Sequence, residues 1–241
     1  MSKAIKALVP RRLKKWLKGR GHAGYLREST RFRDIGSPGP MIEIFETIKP
    51  IPGWFNVDDC SHFSLLLAQQ SLLGLEGDLL EIGSYHGRST ALLAACLEDG
   101  ERLVVCDAFE SETEDSYAER PSPETLLRNI RRVAPALDAD RVEIHECFSN
   151  DLRLDPERRF RFIHIDGGHS REQALFDLEL CSRHVLSGGT IVMDDYHHPA
   201  WPGVTQATDE FLAANDRFVV LADLNRHGAL GRKIYLTRIP D

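Results

Sequence analysis

The stretch LLEIGSYHGRST, Leu79–Thr90, is the part of the chain that decides the fold. An apolar run ends at Glu81, a turn bearing Gly83 and Gly87 follows, and the chain then enters ALLAAC, which has helical character. This order predicts a strand, a tight loop and the start of a helix. Glycine lets a backbone approach a ligand closely, and a helix N-terminus offers free N–H donors with a partial positive charge. The loop is therefore a candidate binding site for a nucleotide-like ligand.

The spacing of the glycines narrows the kind of ligand. The loop reads G-x-x-x-G, whereas dinucleotide-binding folds use G-x-G-x-x-G, and no Gly-Lys-Ser/Thr for a triphosphate is present. A carboxylate at Glu81, just before the turn, suits a ligand with positive charge better than a pyrophosphate. The alternative is a purely structural strand-to-helix turn.

Length and composition indicate one α/β domain with a modest N-terminal extension. The 241 residues are 42% apolar and 28% charged, which is ordinary for a globular protein. No apolar run reaches the roughly 18 residues of a membrane span, and Pro10 with a cluster of cations interrupts any secretory signal. Five cysteines without CxxC spacing argue against a zinc site or a disulfide framework, so we expect a cytoplasmic protein.

Charge is distributed unevenly along the chain. Residues 1–20 hold eight Lys or Arg and no acid, which leaves the remainder with a net charge of −15. The basic segment could form an amphipathic helix on an anionic membrane surface, which would make the protein peripheral to the membrane. The alternatives are a solvated arm or a helix packed on a second subunit of a homo-oligomer. The acidic body argues against nucleic acid as a partner.

Downstream of the loop, strand-like and helix-like segments alternate. The strand-like runs are GDLLEIG, RLVVCDAF, RVEIHEC, RFIHIDGG and GGTIVMDD, and amphipathic helical segments separate most of them. RFVVLADL and GRKIYLTR then close the chain as two strands with a short connection, which implies an antiparallel pair at one edge. The pattern predicts an α/β fold with a Rossmann-like, doubly wound, seven-stranded sheet, mainly parallel with the last strand antiparallel.

The same pass along the chain predicts its organisation. Residues 1–21 form the basic arm or amphipathic helix. Residues 22–76 form an N-terminal segment, with Pro-Gly turns at 38–39 and 52–53 and a helix over His62–Leu73. Residues 77–241 form the main α/β domain.

Polar residues collect at the predicted carboxyl ends of the strands, where ligands bind in such sheets. They are Glu81, Asp107, Ser149 with Asn150, Asp166, and the pair Asp194–Asp195. Asp166, Asp194 and Asp195 would converge between neighbouring strands, and three carboxylates with water suit Mg²⁺ or another octahedral divalent ion. The alternative is that the Asp pair starts a loop through Asx hydrogen bonds.

At this point the sequence resembles a known family. LLEIGSYHGRST, VVCDAF, IHIDGGHS and GGTIVMDDYHHPAWPGV together are similar to class I S-adenosylmethionine-dependent methyltransferases. Within that class they resemble the metal-dependent O-methyltransferases of the catechol type and, more closely, the macrocin/mycinose sugar type grouped with cephalosporin-hydroxylase-like proteins. The resemblance runs from about Asp78 to the C-terminus and implies a methyltransferase domain over 77–241, with a seven-stranded sheet whose last strand is antiparallel.

The resemblance also implies the roles of individual residues. S-adenosylmethionine would be held by Glu81, Gly83, Ser84, Tyr85, Gly87, Ser89, Asp107, Ala108, Ser149, Asn150 and Asp166. Asp107 would accept hydrogen bonds from the ribose hydroxyls, or else cap its own loop. Asp166, Asp194 and Asp195 would be the metal ligands. Gly168 departs from the pattern, because the catechol enzyme has an adenine-stacking tryptophan there, so a catechol substrate should not be assumed.

Methyl transfer needs an activated hydroxyl, and the sequence offers candidates for that role. A divalent ion lowers the pKa of a bound hydroxyl, and a histidine base can then take its proton. His197, two residues after Asp195, matches the base proposed for the sugar enzymes and is slightly preferred. His169 matches the catalytic lysine of the catechol enzyme, and His198 is third. Either ring could instead only orient a metal ligand.

Two further segments have open roles. The acidic run Glu110–Glu124 follows the second strand and is either a lid that orders over the substrate or a solvated loop. Trp201 in HHPAWPG either lines a sugar pocket or belongs to a rigid Pro-bounded turn.

The sequence therefore predicts a Mg²⁺-dependent O-methyltransferase that acts on a hydroxylated small molecule, with a sugar or glycosylated natural product ahead of a phenol. Two other functions stay open at this stage. One is an NAD-dependent dehydrogenase on a similar sheet, which the glycine spacing and the Asp pair argue against. The other is a non-catalytic member of the fold that binds S-adenosylmethionine or a partner.

Overall fold

A seven-stranded sheet organises the protein. The structure is a computed structural model that describes residues 38–109, 121–226 and 230–240, with side chains from residue 43 onward. The compact unit Met41–Asp241 contains the whole sheet. Its strands are β1 (Asp78–Ile82), β2 (Leu103–Asp107), β3 (Val142–Glu146), β4 (Phe160–Ile165), β5 (Val185–Tyr196), β6 (Phe218–Asn225) and β7 (Arg232–Arg238).

The strand order confirms the predicted fold class. The sheet runs β3-β2-β1-β4-β5-β7-β6, with parallel pairing from β3 through β5. Strand β7 lies antiparallel between β5 and β6, because only a short connection separates the end of β6 from the start of β7. The order reverses at β1 and β4, and their carboxyl ends therefore open the crevice where such sheets bind ligands.

Helices cover both faces of the sheet. They are α1 (Pro38–Ile48), α2 (Val57–Leu72), α3 (Arg88–Ala95), α4 (Pro123–Val133), α5 (Arg171–His184) and α6 (Pro202–Ala214). One buried cluster packs α5 and α6 on the sheet through residues such as Leu178 and Phe211. The other packs α1 to α4 through residues such as Phe63, Leu92 and Leu126. Buried strands with alternating side chains supply both clusters, as the doubly wound prediction requires.

Two helix starts differ from the sequence-based expectation. Helix α2 begins at Val57 rather than His62, because Asn56 and Asp59 form a capping box whose side chains satisfy each other's backbone N–H groups. Helix α1 begins at Pro38, where a Pro-Gly turn was expected. Proline is well suited to the first turn of a helix, since its φ is already helical and its missing N–H is not needed there.

Several predictions fall outside the described residues. The basic arm at 1–20, its membrane contact and most of the acidic run from Glu110 belong to this group. Among the residues that the structure describes, none of the helices is both long and apolar enough to span a bilayer. The domain boundaries at 21 and 76 and a homo-oligomeric state stay predictions.

Candidate active site

A cavity of about 1290 Å³ opens at the carboxyl ends of the strands. Its wall combines the loop after β1, the end of β2, the segments after β3 and β4, and the end of β5. Single-ligand pockets usually measure about 300–1,000 Å³. The cavity is therefore large enough for a cofactor and an acceptor side by side.

The backbone of the loop requires its two glycines. Gly83 has φ 79°, and a Cβ there would collide with the backbone carbonyl of Asp166. Gly87 has φ 85° at the N-cap of α3, and its Cβ would collide with Leu126. Both positions need the left-handed backbone that glycine adopts without cost. Glycine is needed at the first position because the chain after β1 passes close to the end of β4. It is needed at the second because the start of α3 packs closely on α4.

Asp107 holds the loop in place. Its Oδ2 accepts hydrogen bonds from the backbone N–H of Ser84 at 2.6 Å, the Ser84 hydroxyl at 2.9 Å and the N–H of Tyr85 at 2.9 Å. Its Oδ1 accepts from the N–H of Phe109 at 2.7 Å. Asp107 therefore caps its own loop and also lines the cavity, so the two roles considered for it are compatible.

Glu81 lies behind the loop instead of facing the cavity. The side chain is fully buried. Oε2 accepts a hydrogen bond from the Thr90 hydroxyl on α3, and Oε1 lies 2.8 Å from Nδ1 of His164 on β4. Its carboxylate ties three elements together, and a contact with the methionine part of a cofactor would have to displace one of these partners.

The region around Gly168 shows what replaces the missing tryptophan. A Cβ on Gly168 would lie 2.7 Å from Cγ of Gln173, so the Gln173 side chain lies directly against this glycine. Its Nε2 donates to the Ser149 hydroxyl at 2.6 Å and to Oδ1 of Asp177 at 2.9 Å. Burial raises the pKa of Asp177 to about 6. Gln173 and Ser149 thus form this part of the cavity wall.

The predicted cofactor residues divide into two groups. Eight of them line the cavity: Gly83, Ser84, Tyr85, Ser89, Asp107, Ala108, Ser149 and Asp166. The others lie elsewhere. Glu81 is buried, Gly87 caps α3, and Asn150 is exposed with its carbonyl bound by Arg153. Direct cofactor contact for all eleven stays a prediction.

At the end of β5, Asp194 is held by two cations of the chain itself. The Lys233 ammonium on β7 contacts Oδ2, and Nη2 of Arg226 lies 2.8 Å from Oδ1. Arg226 also lies 3.6 Å from Asp59 of α2. Burial alone would raise the pKa of Asp194, but the ammonium of Lys233 and the guanidinium of Arg226 hold it well below its usual range.

The same ammonium also fixes the state of His164. Lys233 Nζ lies 3.0 Å from His164 Nε2. An ammonium can only donate, so Nε2 accepts and the imidazole proton is on Nδ1, directed at Glu81. A continuous buried chain therefore runs from Thr90 through Glu81, His164 and Lys233 to Asp194.

The predicted metal ligands were Asp166, Asp194 and Asp195. Among the residues that the structure describes, the groups whose ligand atoms lie within 4.8 Å of one another are instead His164, Asp166 and Asp194. However, Lys233 already donates to two of the three, and Arg226 contacts the second oxygen of Asp194. The donor set as the structure has it does not fit a divalent ion at Asp194.

The remaining two carboxylates face the cavity. Asp166 is exposed to the cavity. Desolvation by the surrounding cavity wall, together with the nearby Asp194 carboxylate, raises its pKa. Asp195 has φ 55°, and its Oδ2 lies 3.3 Å from Nε2 of His169. Arg226 lies 3.7 Å from its other oxygen. The cavity thus presents a histidine–carboxylate pair beside a second carboxylate.

The three candidate histidines have different positions. His169 and His198 line the cavity and stack on Trp201, with ring centroids 3.9 and 4.0 Å away. Two rings so close and nearly parallel to one indole must cover its opposite faces, so Trp201 has no open face for a sugar. His197 is exposed, and its N–H donates to the Thr205 hydroxyl. The geometry therefore supports His169 better than His197 as the base.

Sequence reasoning missed Lys233, Arg226 and Gln173. The last strand was predicted at one edge of the sheet, where a lysine side chain is ordinarily solvated, so nothing in the sequence marked Lys233 as buried. Arg226 and Gln173 were missed because their partners Asp194 and Ser149 lie 32 and 24 residues away in sequence.

Comparison with known proteins agrees with this geometry. Residues 80–196 match the model of a family described as a methyltransferase domain. No curated protein matches the chain in sequence.

Solved structures share the fold across most of the chain. An O-methyltransferase from Bacillus cereus in complex with SAH is 21% identical, with TM-score 0.57, over 87% of this chain and 95% of that one. The O-methyltransferase NovP is 21% identical, with TM-score 0.60, over 82% and 88%. CalS11, a TDP-rhamnose 3'-O-methyltransferase of calicheamicin biosynthesis, is 17% identical, with TM-score 0.57, over 85% and 95%.

The family match covers the strands that build the cavity, from β1 to β5. This match to a methyltransferase domain argues against the dehydrogenase that the sequence alone had left open. Residues 80–196 match a methyltransferase domain, and the chain shares its fold with the solved O-methyltransferases.

Proposed function

We propose that this protein transfers the methyl group of S-adenosylmethionine to a hydroxyl of a small molecule, with a sugar or glycosylated natural product as the acceptor. One observation carries the proposal. A single cavity contains both the loop after β1 and the His169–Asp195 pair after β4 and β5. A cofactor and an acceptor bound there would meet between a methyl-donor side and a proton-accepting side.

The cofactor side is preorganised. Asp107 fixes the backbone of the loop, and Arg88 and Ser89 in the first turn of α3 line the same cavity. Gln173 and Ser149 close the wall that the adenine ring would face. The buried position of Glu81 supports a role in holding the loop rather than in touching the cofactor.

The chemical step is an in-line displacement. The acceptor oxygen attacks the sulfonium methyl, the O–C bond forms as the S–C bond breaks, and S-adenosylhomocysteine leaves as a neutral thioether. The hydroxyl proton passes to the imidazole of His169, whose ordinary pKa near 6.5 suits a base at neutral pH. Asp195 orients that ring and stabilises the positive charge that it gains.

A divalent ion would lower the pKa of the acceptor hydroxyl if one were bound. The ligand set Asp166, Asp194 and Asp195 stays a prediction, and the contacts of Asp194 do not favour it. The proposed reaction therefore contains no step through a metal.

The acceptor class is supported by the aromatic part of the wall. Trp54 is 69% exposed, and its ring centroid lies 5.4 Å from that of Tyr85. Exposed aromatic rings beside polar groups suit the apolar face of a sugar as well as a phenol ring. CalS11, which shares the fold, is a methyltransferase of TDP-rhamnose, and this favours the sugar.

Calorimetric titration with S-adenosylmethionine and with NAD tests the cofactor, and binding of NAD alone would refute the proposal. Transfer of labelled methyl to a panel of nucleotide sugars, glycosides and catechols then tests the acceptor.

We expect His169→Ala to lower kcat by about 10²–10⁴-fold, whereas His197→Ala, a matched change on the exposed side, leaves it within about twofold. The reverse result would restore His197 as the base.

A further inference from the structure

The cluster around Asp194 has a feature that the methyl-transfer chemistry does not use. Lys233 is 1% exposed and lies between the sheet and helix α2, with its ammonium 5.6 Å from the centroid of the Phe63 ring. A lysine so deeply buried is stable only when carboxylates or other acceptors accept the hydrogen bonds that its ammonium donates. Here Asp194 and His164 do so.

We infer that the Lys233 ammonium, assisted by the Arg226 guanidinium, is the resident cation of the Asp194 cluster and takes the place of a divalent metal ion. In this arrangement Lys233 is a positioning residue, because it acts on the cavity through Asp194. The inference rests on the proposed methyl transfer only for its activity measurement.

Contact geometry is the first support. Of the three groups whose ligand atoms lie within 4.8 Å of one another, His164 and Asp194 accept hydrogen bonds from Lys233. Nη2 of Arg226 lies 2.8 Å from the remaining Asp194 oxygen. A metal ion would have to displace two buried cations and would then lie against both of them, at a high electrostatic cost in a low-dielectric site.

Charge balance is the second support. Asp59 and Asp194 are offset by Lys233 and Arg226, and all four side chains are buried. The two carboxylates that are left, Asp166 and Asp195, face the cavity. The proposed reaction keeps one positive charge in that space, which is on the sulfonium before transfer and on the histidine paired with Asp195 after it. The buried carboxylate Asp194 is already balanced by Lys233 and Arg226, so it needs no divalent ion as a counterion.

The connection to the rest of the fold is the third support. His164 contacts Lys233 through Nε2 and Glu81 through Nδ1. Glu81 in turn accepts a hydrogen bond from the Thr90 hydroxyl in the first turn of α3. The ammonium thus joins the acceptor-side carboxylate to the helix behind the cofactor loop. A loosely held ion exchanging with solvent would not supply such a fixed link.

The test is Mn²⁺ binding to chelator-treated full-length protein, followed by electron paramagnetic resonance and titration calorimetry without cofactor or acceptor. We expect no stoichiometric Mn²⁺ site in the unmodified protein. Lys233→Met, which removes the cation and frees His164 and Asp194, should create one site, and Lys233→Arg should not. Arg232→Met, the neighbouring exposed position that pairs with Asp223, is the control and should bind no Mn²⁺.

The measurement on the unmodified protein decides the question even if Lys233→Met does not fold. One Mn²⁺ site that disappears in Asp194→Asn would overturn the inference, and so would a folded Lys233→Met without any site. Methyl transfer in EDTA should stay within about twofold of that in Mg²⁺, and a loss of tenfold or more would also overturn it. Failure to bind S-adenosylmethionine would count against the proposed function. The Mn²⁺ measurement uses neither cofactor nor acceptor, so its result tests the inference about Lys233 whether or not the proposed function holds.

Discussion

Asp107 and Asp194 are the same residue type at the carboxyl ends of two strands of one sheet, yet their surroundings differ completely. Asp107 accepts hydrogen bonds from backbone N–H groups and one hydroxyl, all of them neutral. Asp194 is held by a buried ammonium and a guanidinium. The first carboxylate shapes a loop, and the second balances charge inside the protein. A strand-end aspartate therefore has no fixed role until its partners are known.

The largest expected effect concerns Asp194 and its two cationic partners, Lys233 and Arg226. Asp194→Asn leaves Lys233 and Arg226 without their main counterion, and breaking a buried pair in this way costs about 3–5 kcal/mol of unfolding free energy. Urea denaturation measures the loss. Asp223→Asn removes an exposed ion pair with Arg232 and should cost less than about 1 kcal/mol. Equal losses of unfolding free energy in Asp194→Asn and Asp223→Asn would contradict the distinction between a buried and an exposed ion pair.

A smaller effect concerns a buried carboxylate that accepts from a neutral amide. Asp177 is fully buried, its Oδ2 has no hydrogen-bond partner among the residues that the structure describes, and burial raises its pKa from 3.8 to about 6. The ionised form is therefore disfavoured in the folded state above pH 6, and the penalty vanishes once both states are protonated at low pH.

Asp177→Asn is neutral at every pH and should gain about 1–3 kcal/mol of stability near pH 8. The gain should shrink as pH falls through 6 toward 4. Chemical denaturation at several pH values measures it. A gain that does not depend on pH would show that the carboxylate charge is not its source.

The smallest effect concerns Asp107 and the neutral N–H and hydroxyl groups that donate to it. Asp107→Asn replaces one of the two acceptor oxygens with an NH2 group that cannot accept, which leaves one or two loop N–H groups unsatisfied and costs about 1–2 kcal/mol. Affinity for S-adenosylmethionine should fall by at least tenfold, because the loop is no longer fixed before binding. Denaturation and calorimetry measure the two quantities. A loss of stability near that of Asp194→Asn would remove the distinction between the two sites.

Much of the fold could be predicted because its signals are local. The apolar runs of β1 and β5 and the spacing of apolar residues in α5 each lie within one element. Errors arose where a local signal was misread. Helix α2 starts earlier than expected because the capping role of Asn56 was overlooked, and Pro38 opens a helix rather than a turn.

The candidate site was predictable only in outline. Sequence reasoning located the residues at the strand ends, and the cavity indeed collects Asp107, Asp166, Asp194 and Asp195. It could not tell that the Trp201 faces are covered by two histidines, because one of them comes from a different segment of the chain.

The sequence by itself determined the order of strands and helices, the position of the loop and the class of enzyme, since each depends on short-range pattern. Only the tertiary structure decided what each carboxylate does. Glu81 and His164 are 83 residues apart, and Asp194 and Lys233 are 39 apart. The physical reason is that the state of a buried charge depends on its nearest neighbours in space, and the fold brings these together from distant parts of the chain.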